Sequence, residues 1–552
     1  MSMSNLLLTT ILLPLAGSLA ICAVGRDARA ARATALVVSL ATLIVTAILL
    51  CNYVPGDDSF AAWSYAWLGE TSAVDIRFDV ALDGISLWLF GLSSLLLLAC
   101  VLLSWDAVTD RPGTYYALLL LLGSGMLGVF AARDIILFYV FFEFTLIPLF
   151  LLIGMWGHED RQYAATKFFI YTLAGSMLTF LALLSIVLWD YYHSPDGVMT
   201  FSIPQLTAGL AARPIAEPYQ LWIFLGLFAG FAIKVPLFPL HTWLPLAHTQ
   251  APSAGSVLLA GILLKIGTYG FLRFSIPMLP DATVTCMPWM LALAVAGILY
   301  GALAALAQSD MKRLIAYSSV SHLGFVMLGL FALTSVGMEG GVLQMINHGL
   351  STGGLFAVVG MVYERYHTRQ ISELGGLARQ VPWLAFFFLV FTLSSIGLPG
   401  LNGFAGEFLI LIGMFQRAFV FEASTPAVAY AYKAIAVLAV FGVVLGAWYM
   451  LWLVQRVFFG PPLESDHEHA AQPPRDVTPV EAAALVPLCV FVLWIGVHPE
   501  FFLSRMRPAL QPVAQAAIAA LAERERAQPP VAANAPAAAV VELPPGVLSL
   551  VE

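Results

Sequence analysis

The sequence predicts an all-α polytopic membrane protein with about fourteen transmembrane helices. Three observations predict it. Only 11% of the 552 residues are charged, 25 Lys or Arg and 33 Asp or Glu, where a soluble domain carries about a quarter. Apolar residues make up 60% of the chain, and the mean hydropathy is +0.88. Those apolar residues gather in runs of about 20, the length that crosses a bilayer core. So few charges cannot cover a water-soluble fold of this size. A net charge of −8 with no Lys/Arg patch excludes a nucleic-acid binder. The cysteines, Cys22, Cys51, Cys100, Cys286 and Cys489, are too far apart in sequence for a C-x-x-C or similar metal motif and read as small apolar fillers. A secreted disulfide scaffold is excluded. No G-x-G-x-x-G follows a strand pattern, and no haem or iron–sulfur spacing is present. Any redox centre that works with this chain then belongs on other chains.

The spans follow in order. Spans 5–24 and 34–52 enclose a short loop with Arg26, Arg29 and Arg32. The start lacks the basic flank and small-residue cleavage site of a signal peptide, so the first span is retained. An acidic loop, 55–79, leads to the third span, 82–103, and residues 1–110 form an N-terminal unit. Spans 115–131, 134–155, 167–189, 221–248 and 255–274 make a first unit, 111–275. Spans 287–307, 314–333, 341–363, 382–416 and 428–452 make a second, 276–455. Residues 456–505 hold a charged loop, whose His467 and His469 read as solvated surface, and a last span at 482–498. The Ala/Pro-rich tail, 506–552, opens on a short helical stretch ending at Glu523-Arg524-Glu525-Arg526 and then reads as disordered. Spans seven and twelve are too long and are interrupted by Pro and Gly. They stand five helices apart, an odd number, so spans 4–8 and 9–13 read as two inverted repeats with the working site at their interface.

Sorting Lys and Arg by loop puts about twice as many on the side of Arg26, Arg29 and Arg32 as on the other. That side is expected to be cytoplasmic and both termini exterior, with the acidic loop 55–79 on the exterior face. Two cations, Lys234 and Lys265, fit neither side because they lie inside spans.

An ionisable group at the bilayer centre costs about 2.5–3.5 kcal/mol on insertion scales, so each one is a functional candidate. Glu143 lies mid-span in Phe141-Phe142-Glu143-Phe144-Thr145-Leu146-Ile147-Pro148 and reads as a proton-exchanging carboxylate or as a protonated, hydrogen-bonded one. Lys234 precedes Pro236, which removes a backbone donor and breaks the helix. It then sits at the carboxyl end of a half-helix, where the dipole favours its charge while burial opposes it. Glu143, two spans earlier, is the attractive partner; the alternative is a snorkelling lysine. Lys265, in Gly261-Ile262-Leu263-Leu264-Lys265-Ile266-Gly267, is a second proton carrier or a structural cation facing freed carbonyls. Glu407 follows the second break, with Asn402 as the expected helix cap. A lone buried His is usually a satisfied core residue. His322 and His348, however, fall between Lys265 and Glu407 and read as a bridge, with serines and Thr352 around them to hold water. His241 and His248 flank the second half of span seven and stay evenly balanced between the two readings.

Glu143 in its Phe-rich setting, the run 234–245 (Lys-Val-Pro-Leu-Phe-Pro-Leu-His-Thr-Trp-Leu-Pro), residues 247–265, Lys312-Arg313-Leu314-Ile315-Ala316-Tyr317-Ser318-Ser319, and 394–407 resemble the antiporter-like membrane subunits of respiratory complex I. The resemblance runs from the third span to the thirteenth. In that family the ionisable residue of the second broken helix is usually lysine; glutamate there resembles the M branch, mitochondrial chain 4. The long lateral helix of the L branch is missing. The resemblance implies a proton-translocating membrane-arm subunit of NADH:quinone oxidoreductase that binds no cofactor itself. NADH, FMN, iron–sulfur clusters and quinone are then expected on partner subunits, and the L and N antiporter-like subunits are expected on either side of it in a bacterial inner membrane. By position it implies Glu143 with Lys234 as a charge pair, Lys265 as central relay, Glu407 as terminal carrier, His322 and His348 as connectors, and His241 beside the pair. A subunit of a multisubunit cation/proton antiporter shares these motifs. A packing scaffold and a quinone-binding chain are the remaining alternatives.

Overall fold

The computed structural model describes residues 2–24, 27–68, 73–195, 197–421, 425–461 and 474–527. The molecule is a bundle of helices with apolar side chains both inside and on its surface: a few ionisable groups such as Lys234, Lys265 and Glu407 are buried within an apolar core, and Leu19, Val37, Trp222, Trp289 and Val497 are exposed on its flanks. Among the described residues, twelve helices are long and apolar enough to cross a membrane. They cover every expected span except seven and twelve, each of which is two shorter helices joined by an irregular link.

In chain order the elements are α1 (Met3–Val24), α2 (Ala28–Asn52), a hairpin of β1 (Phe60–Leu68) and β2 (Val74–Leu82), α3 (Ser86–Leu103) and α4 (Pro112–Ala131). Span five is bent into α5 (Ile135–Phe144) and α6 (Leu146–Trp156), and α7 (Arg161–His193) follows. After the short α8 (Ile203–Ala212), span seven is α9 (Glu217–Lys234) plus α10 (Trp243–Gln250). Span eight is α11 (Ser253–Met278), with π-helical turns at Leu259–Leu263 and Phe271–Ser275. Then come α12 (Pro280–Leu306), α13 (Met311–Phe331) and α14 (Ser335–Tyr366). Span twelve is α15 (Pro382–Ser395) plus α16 (Asn402–Phe419), followed by α17 (Pro426–Val457), α18 (Pro479–Val497) and α19 (Glu500–Ala527). Helices α11 and α14 are enclosed on every side and form the centre of the molecule.

Two regions differ from the sequence reading. The acidic segment expected as a loop is largely the β1–β2 hairpin, paired antiparallel from Phe60 with Leu82 to Leu68 with Ile76. Its second strand alternates Val74, Ile76, Phe78 and Val80 with Asp75, Arg77 and Asp79, the period-2 pattern of a half-buried strand. The helix at the chain's end is longer than expected: α19 starts at Glu500, before the expected tail boundary, and runs through Pro508 and Pro512. It packs Phe501 and Phe502 on Trp88 and Trp494, pairs Arg507 with Glu339 at 3.1 Å, and bonds Arg524 to Thr285. His467, His469 and residues 528–552 lie outside the described residues.

Candidate functional site

The two broken spans stop their first half-helices in the same way. At the end of α9, Val235 N–H donates to Phe231 O at 2.8 Å and Leu237 N–H reaches back to Ala232 O at 2.9 Å. At the end of α15, Ile396 N–H donates to Thr392 O at 3.0 Å and Leu398 N–H reaches back to Leu393 O at 3.0 Å. The back-reaching bond is the closing bond of a Schellman cap. Gly397, with φ +74, takes the left-handed position that such a cap needs. Asn402 is not the cap of α16. That helix begins with Asn402 as its first residue after Leu401, and the Asn402 side chain instead binds Ser394 Oγ. A third break sits beside Glu143. Pro148 has no N–H to give to Phe144 O, and the span bends at Thr145, whose Oγ1 bonds Phe142 O at 2.8 Å.

Glu143 and Lys234 face one another at the ends of α5 and α9. The Ser176 and Tyr139 hydroxyls lie beside the Glu143 carboxyl, and Lys234 is its nearest cation. No hydrogen bond joins the pair: Glu143 Oε1 and Lys234 Nζ are both buried without a partner. Lys234 Nζ stands 5.0 Å from the centre of the Phe142 ring, on the residue before Glu143. Helices α7 and α9 cross closely here. A Cβ on Gly230 would fall 2.6 Å from Gly175 O and 1.9 Å from Thr179 Oγ1, so only glycine permits the approach.

From Lys265 the polar side chains form a line. The Lys265 ammonium donates to Ala260 O, in the π-helical turn just before it, and stands 2.6 Å from His348 Nδ1. The His348 ring centre is 5.7 Å from that of His322. His322 Nδ1 is 3.0 Å from Glu407 Oε1, and its Nε2 is 3.1 Å from Ser395 Oγ. All four residues are buried. The structure therefore brings together Lys265, His348, His322 and Glu407 from α11, α14, α13 and α16. Such a line can exchange protons: an ammonium, two imidazoles and a carboxyl each bind or release one near neutral pH in a suitable setting.

The His241 ring packs on Phe238, Tyr300 and Tyr317 at 5.8, 4.9 and 6.3 Å between centres. His248 is close to the line. It stacks on Phe356 at 4.5 Å, its electrostatic neighbours are Lys312 and Lys265, and both its ring nitrogens are without a partner.

Sequence reasoning missed several members. Gln344 Nε2 donates to Glu407 Oε1 at 3.0 Å, and Asn347 links Gln344 to Asn402 O. These amides carry no charge, so a search for ionisable residues inside spans passes over them. Lys312 was counted with the loop cations, yet it is buried and donates to Ala251 O at the end of α10. Arg273, in the same span as Lys265, makes a 2.6 Å ion pair through its Nη2 with Asp83 Oδ2. Among the described residues, no group of three or more His, Cys, Asp or Glu is placed to hold a metal ion.

The family described as NADH:quinone oxidoreductase/Mrp antiporter, TM, matches residues 132–431. NADH-quinone oxidoreductase subunit M of Rhodobacter capsulatus is 39% identical over 520 residues, which cover 93% of this chain and 97% of that one. NADH-ubiquinone oxidoreductase chain 4 of Chondrus crispus is 38% identical over 505 residues, covering 91% and 96%. A chain in the structure of respiratory complex I from Thermus thermophilus with bound NADH superposes with a TM-score of 0.80 at 32% identity, over 93% of this chain and 99% of that one. A chain of the Mrp complex from Dietzia sp. DQ12-45-1b superposes with a TM-score of 0.77 at 21% identity, covering 94% and 99%, and shares the fold alone.

Proposed function

The chain belongs to the NADH:quinone oxidoreductase/Mrp antiporter transmembrane family, and from that premise we propose how its own residues carry protons. It is an antiporter-like, proton-translocating subunit of NADH:quinone oxidoreductase, of the subunit M or chain 4 type, embedded in the membrane among the other subunits of that complex. The antiporter alternative has weaker support, since the Mrp chain is 21% identical and subunit M of Rhodobacter capsulatus 39%.

In the proposed path, two five-helix units within 111–275 and 276–455 each supply one broken span. Glu143 and Lys234 are the controlling pair of the first unit. Lys265 is the relay between the units, His348 and His322 carry the proton across, and Glu407 is the terminal carrier. The observation that carries this reading is the line from Lys265 Nζ to His348 at 2.6 Å and from His322 to Glu407 at 3.0 Å, with ring centres 5.7 Å apart between them. In one direction, Lys265 gives an N–H proton to His348 Nδ1. His348 releases one from Nε2, which has no partner, towards His322. His322 then passes one from Nδ1 to Glu407 Oε1. The reverse direction uses the same atoms. A change in a neighbouring subunit that closes or opens the Glu143–Lys234 pair would alter the field at Lys265 and so drive the transfer. His241, expected beside the charge pair, packs its ring on Phe238, Tyr300 and Tyr317 and is given no step in this path.

The redox groups, including the flavin, the iron–sulfur clusters and the quinone site, belong in this reading to partner subunits. The L- and N-type antiporter-like subunits flank the chain. It resides in a bacterial inner membrane with both termini on the exterior face, a topology supported by the excess of Lys and Arg on the opposite loops.

The test uses the assembled complex in sealed vesicles, with NADH oxidation and the proton gradient measured together. Glu407→Gln keeps the shape and loses the ionisable group. The expected result is retained NADH oxidation with fewer protons moved per NADH. An unchanged proton yield at full assembly would leave a packing role instead.

A further inference from the structure

We propose that Gln344 and Asn347 form a one-way amide chain that can present only a donor to Glu407, and that this makes them positioning residues for the oxygen facing His322. The inference deepens the reading of Glu407 as a proton carrier and rests on it. It starts from a backbone carbonyl at the break in span twelve. Asn347 Nδ2, on α14, donates to Asn402 O at 2.7 Å, and Asn402 is the first residue of α16. A carbonyl oxygen only accepts, so Asn347 must turn its NH2 group towards it. The same NH2 group gives its second hydrogen bond to Gln344 Oε1 at 3.2 Å. That commits the Gln344 oxygen, so Gln344 meets Glu407 Oε1 with its own NH2 group, Nε2 at 3.0 Å. From the break to the carboxyl, each bond dictates the next. Asn347 keeps this orientation although its Oδ1 is left buried without a partner.

The chain is held at both ends. Asn402 Nδ2 donates back to Asn347 O at 3.4 Å, so each asparagine binds the other's backbone carbonyl. Asn402 Oδ1 accepts from Ser394 Oγ at the end of α15. Both half-helices of span twelve and the unbroken α14 are thus tied together beside Glu407. The junction also needs room. A Cβ on Gly406 would fall 2.3 Å from Gln344 Oε1 and 2.8 Å from Asn347 Nδ2, so any side chain there would displace the bond between them. Gln344, Asn347 and Asn402 are buried, and turning one amide round would set oxygen against oxygen with no solvent to relieve it.

The consequence falls on one atom. A carboxyl oxygen has two lone pairs. The Gln344 N–H takes one on Oε1, and His322 Nδ1 stands 3.0 Å from the same oxygen. Gln344 therefore stops the carboxyl from turning and keeps Oε1 aimed at the ring nitrogen with which it exchanges a proton. A chain running the other way would face Oε1 with the Gln344 oxygen and push it away from His322. The direction set by Asn402 O thus matters as much as the presence of the amide.

The test uses the assembled complex in sealed vesicles with NADH as substrate. Gln344→Met keeps the length and apolar stem of the side chain and loses the amide. Proton transfer through this chain should fall about tenfold, within the range that misplacing a reacting group costs, and the readout is the proton yield per NADH. Asn347→Leu should lose less, because Gln344 remains but is free to turn. Added to Gln344→Met, Asn347→Leu should cost nothing more, since the chain acts only through Gln344. Infrared difference spectra give a second readout. The carboxyl C=O band that Glu407→Gln abolishes should move to higher wavenumber in Gln344→Met, because its oxygen loses a donor. Losses that add in the double variant, with the band unmoved, would show a packing role and overturn the proposal. So would Gln344→Met matching the unaltered complex while Glu407→Gln loses pumping, an outcome that leaves the carrier role of Glu407 standing. If Glu407→Gln pumps normally, the underlying reading fails first. Should Gln344→Met not assemble, Asn347→Leu decides: a lower yield with a moved band supports the chain, and an unchanged yield and band overturn it.

Discussion

In the first half of the bundle, Glu143 Oε1 and Lys234 Nζ are buried and no hydrogen bond joins them. In the second half, Lys265, His348, His322 and Glu407 stand within one or two hydrogen bonds of each other, and Gln344, Asn347 and Ser395 hold the line in place. The backbone differs in the same sense. Glu143 and Lys234 lie at helix ends, at Thr145 and at the α9 break, where small rotations displace a side chain far. His322 and His348 sit mid-helix on α13 and α14, which run unbroken from Met311 to Phe331 and from Ser335 to Tyr366. A buried polar atom without a partner costs about 1–3 kcal/mol. His348 Nε2 and Asn347 Oδ1 of the line are also buried without a partner, so the contrast lies in what joins the charged groups: hydrogen bonds tie members of the line to one another, and none ties Glu143 to Lys234. The Asp83–Arg273 pair gives the third case: closed at 2.6 Å and away from the line, it reads as structural.

The largest expected effect comes from breaking the line at its centre. Lys265→Ala removes the group that reaches both Ala260 O and His348 Nδ1. Proton transfer through this chain should fall about 100-fold, the scale of losing a positioned acid–base group. The readout is the proton yield per NADH in sealed vesicles. A normal yield at full assembly would mean that the two regions do not differ in role.

Glu143→Gln tests the other side. It leaves the line intact and removes only the charge facing Lys234, so the loss should be smaller, about tenfold, equivalent to one pKa unit at the responding group. Glu143→Asp, which keeps the charge, should recover most of it. Should Gln and Asp behave alike, the pair acts through packing and the contrast between an adjustable pair and a fixed line collapses.

Much of this was legible in the sequence. Pro236 and the Pro399-Gly400 pair announced the two broken spans, and a hydropathy scan isolates Glu143, Lys234, Lys265 and Glu407 because charge is rare inside spans. The bend at Thr145 was legible too, from Pro148, but an apolar run continuous through the proline hid it. The alternation at 74–80 announced a strand, masked by its acidic composition. Other features were not legible. The partners of each charge come from helices far apart in sequence, as with Lys265 and His348. Gln344 and Asn347 look like any mid-span amide until Glu407 is placed beside Gln344. Lys312 sits one residue inside α13, where sequence cannot distinguish a loop cation from one turned inward to Ala251 O. The π-helical turns around Lys265 depend on packing in the crowded centre and have no local signature.

The smallest expected effect is a control outside both regions. His158 lies between α6 and α7, half-buried against Tyr363 with 5.0 Å between ring centres. Burial first, and then the charges of Lys312 and Arg369, push its imidazole down from 6.5 to about 4. The folded chain therefore keeps His158 neutral through a window in which the unfolded chain protonates it. Between about pH 6.5 and 4 the unfolded state binds more protons, so stability must fall as the pH falls. His158→Gln removes that titration and keeps a polar side chain. The Tm of the assembled complex should then drop less steeply from pH 6.5 to 4 than in the unaltered protein, while NADH-driven pumping at pH 7 stays the same. Partial exposure screens the ring, which is why this effect ranks last. An acid slope identical in both proteins would show that His158 is not held neutral. A change in pumping at pH 7 would place it among the residues that move protons, on the fixed line's side of the comparison.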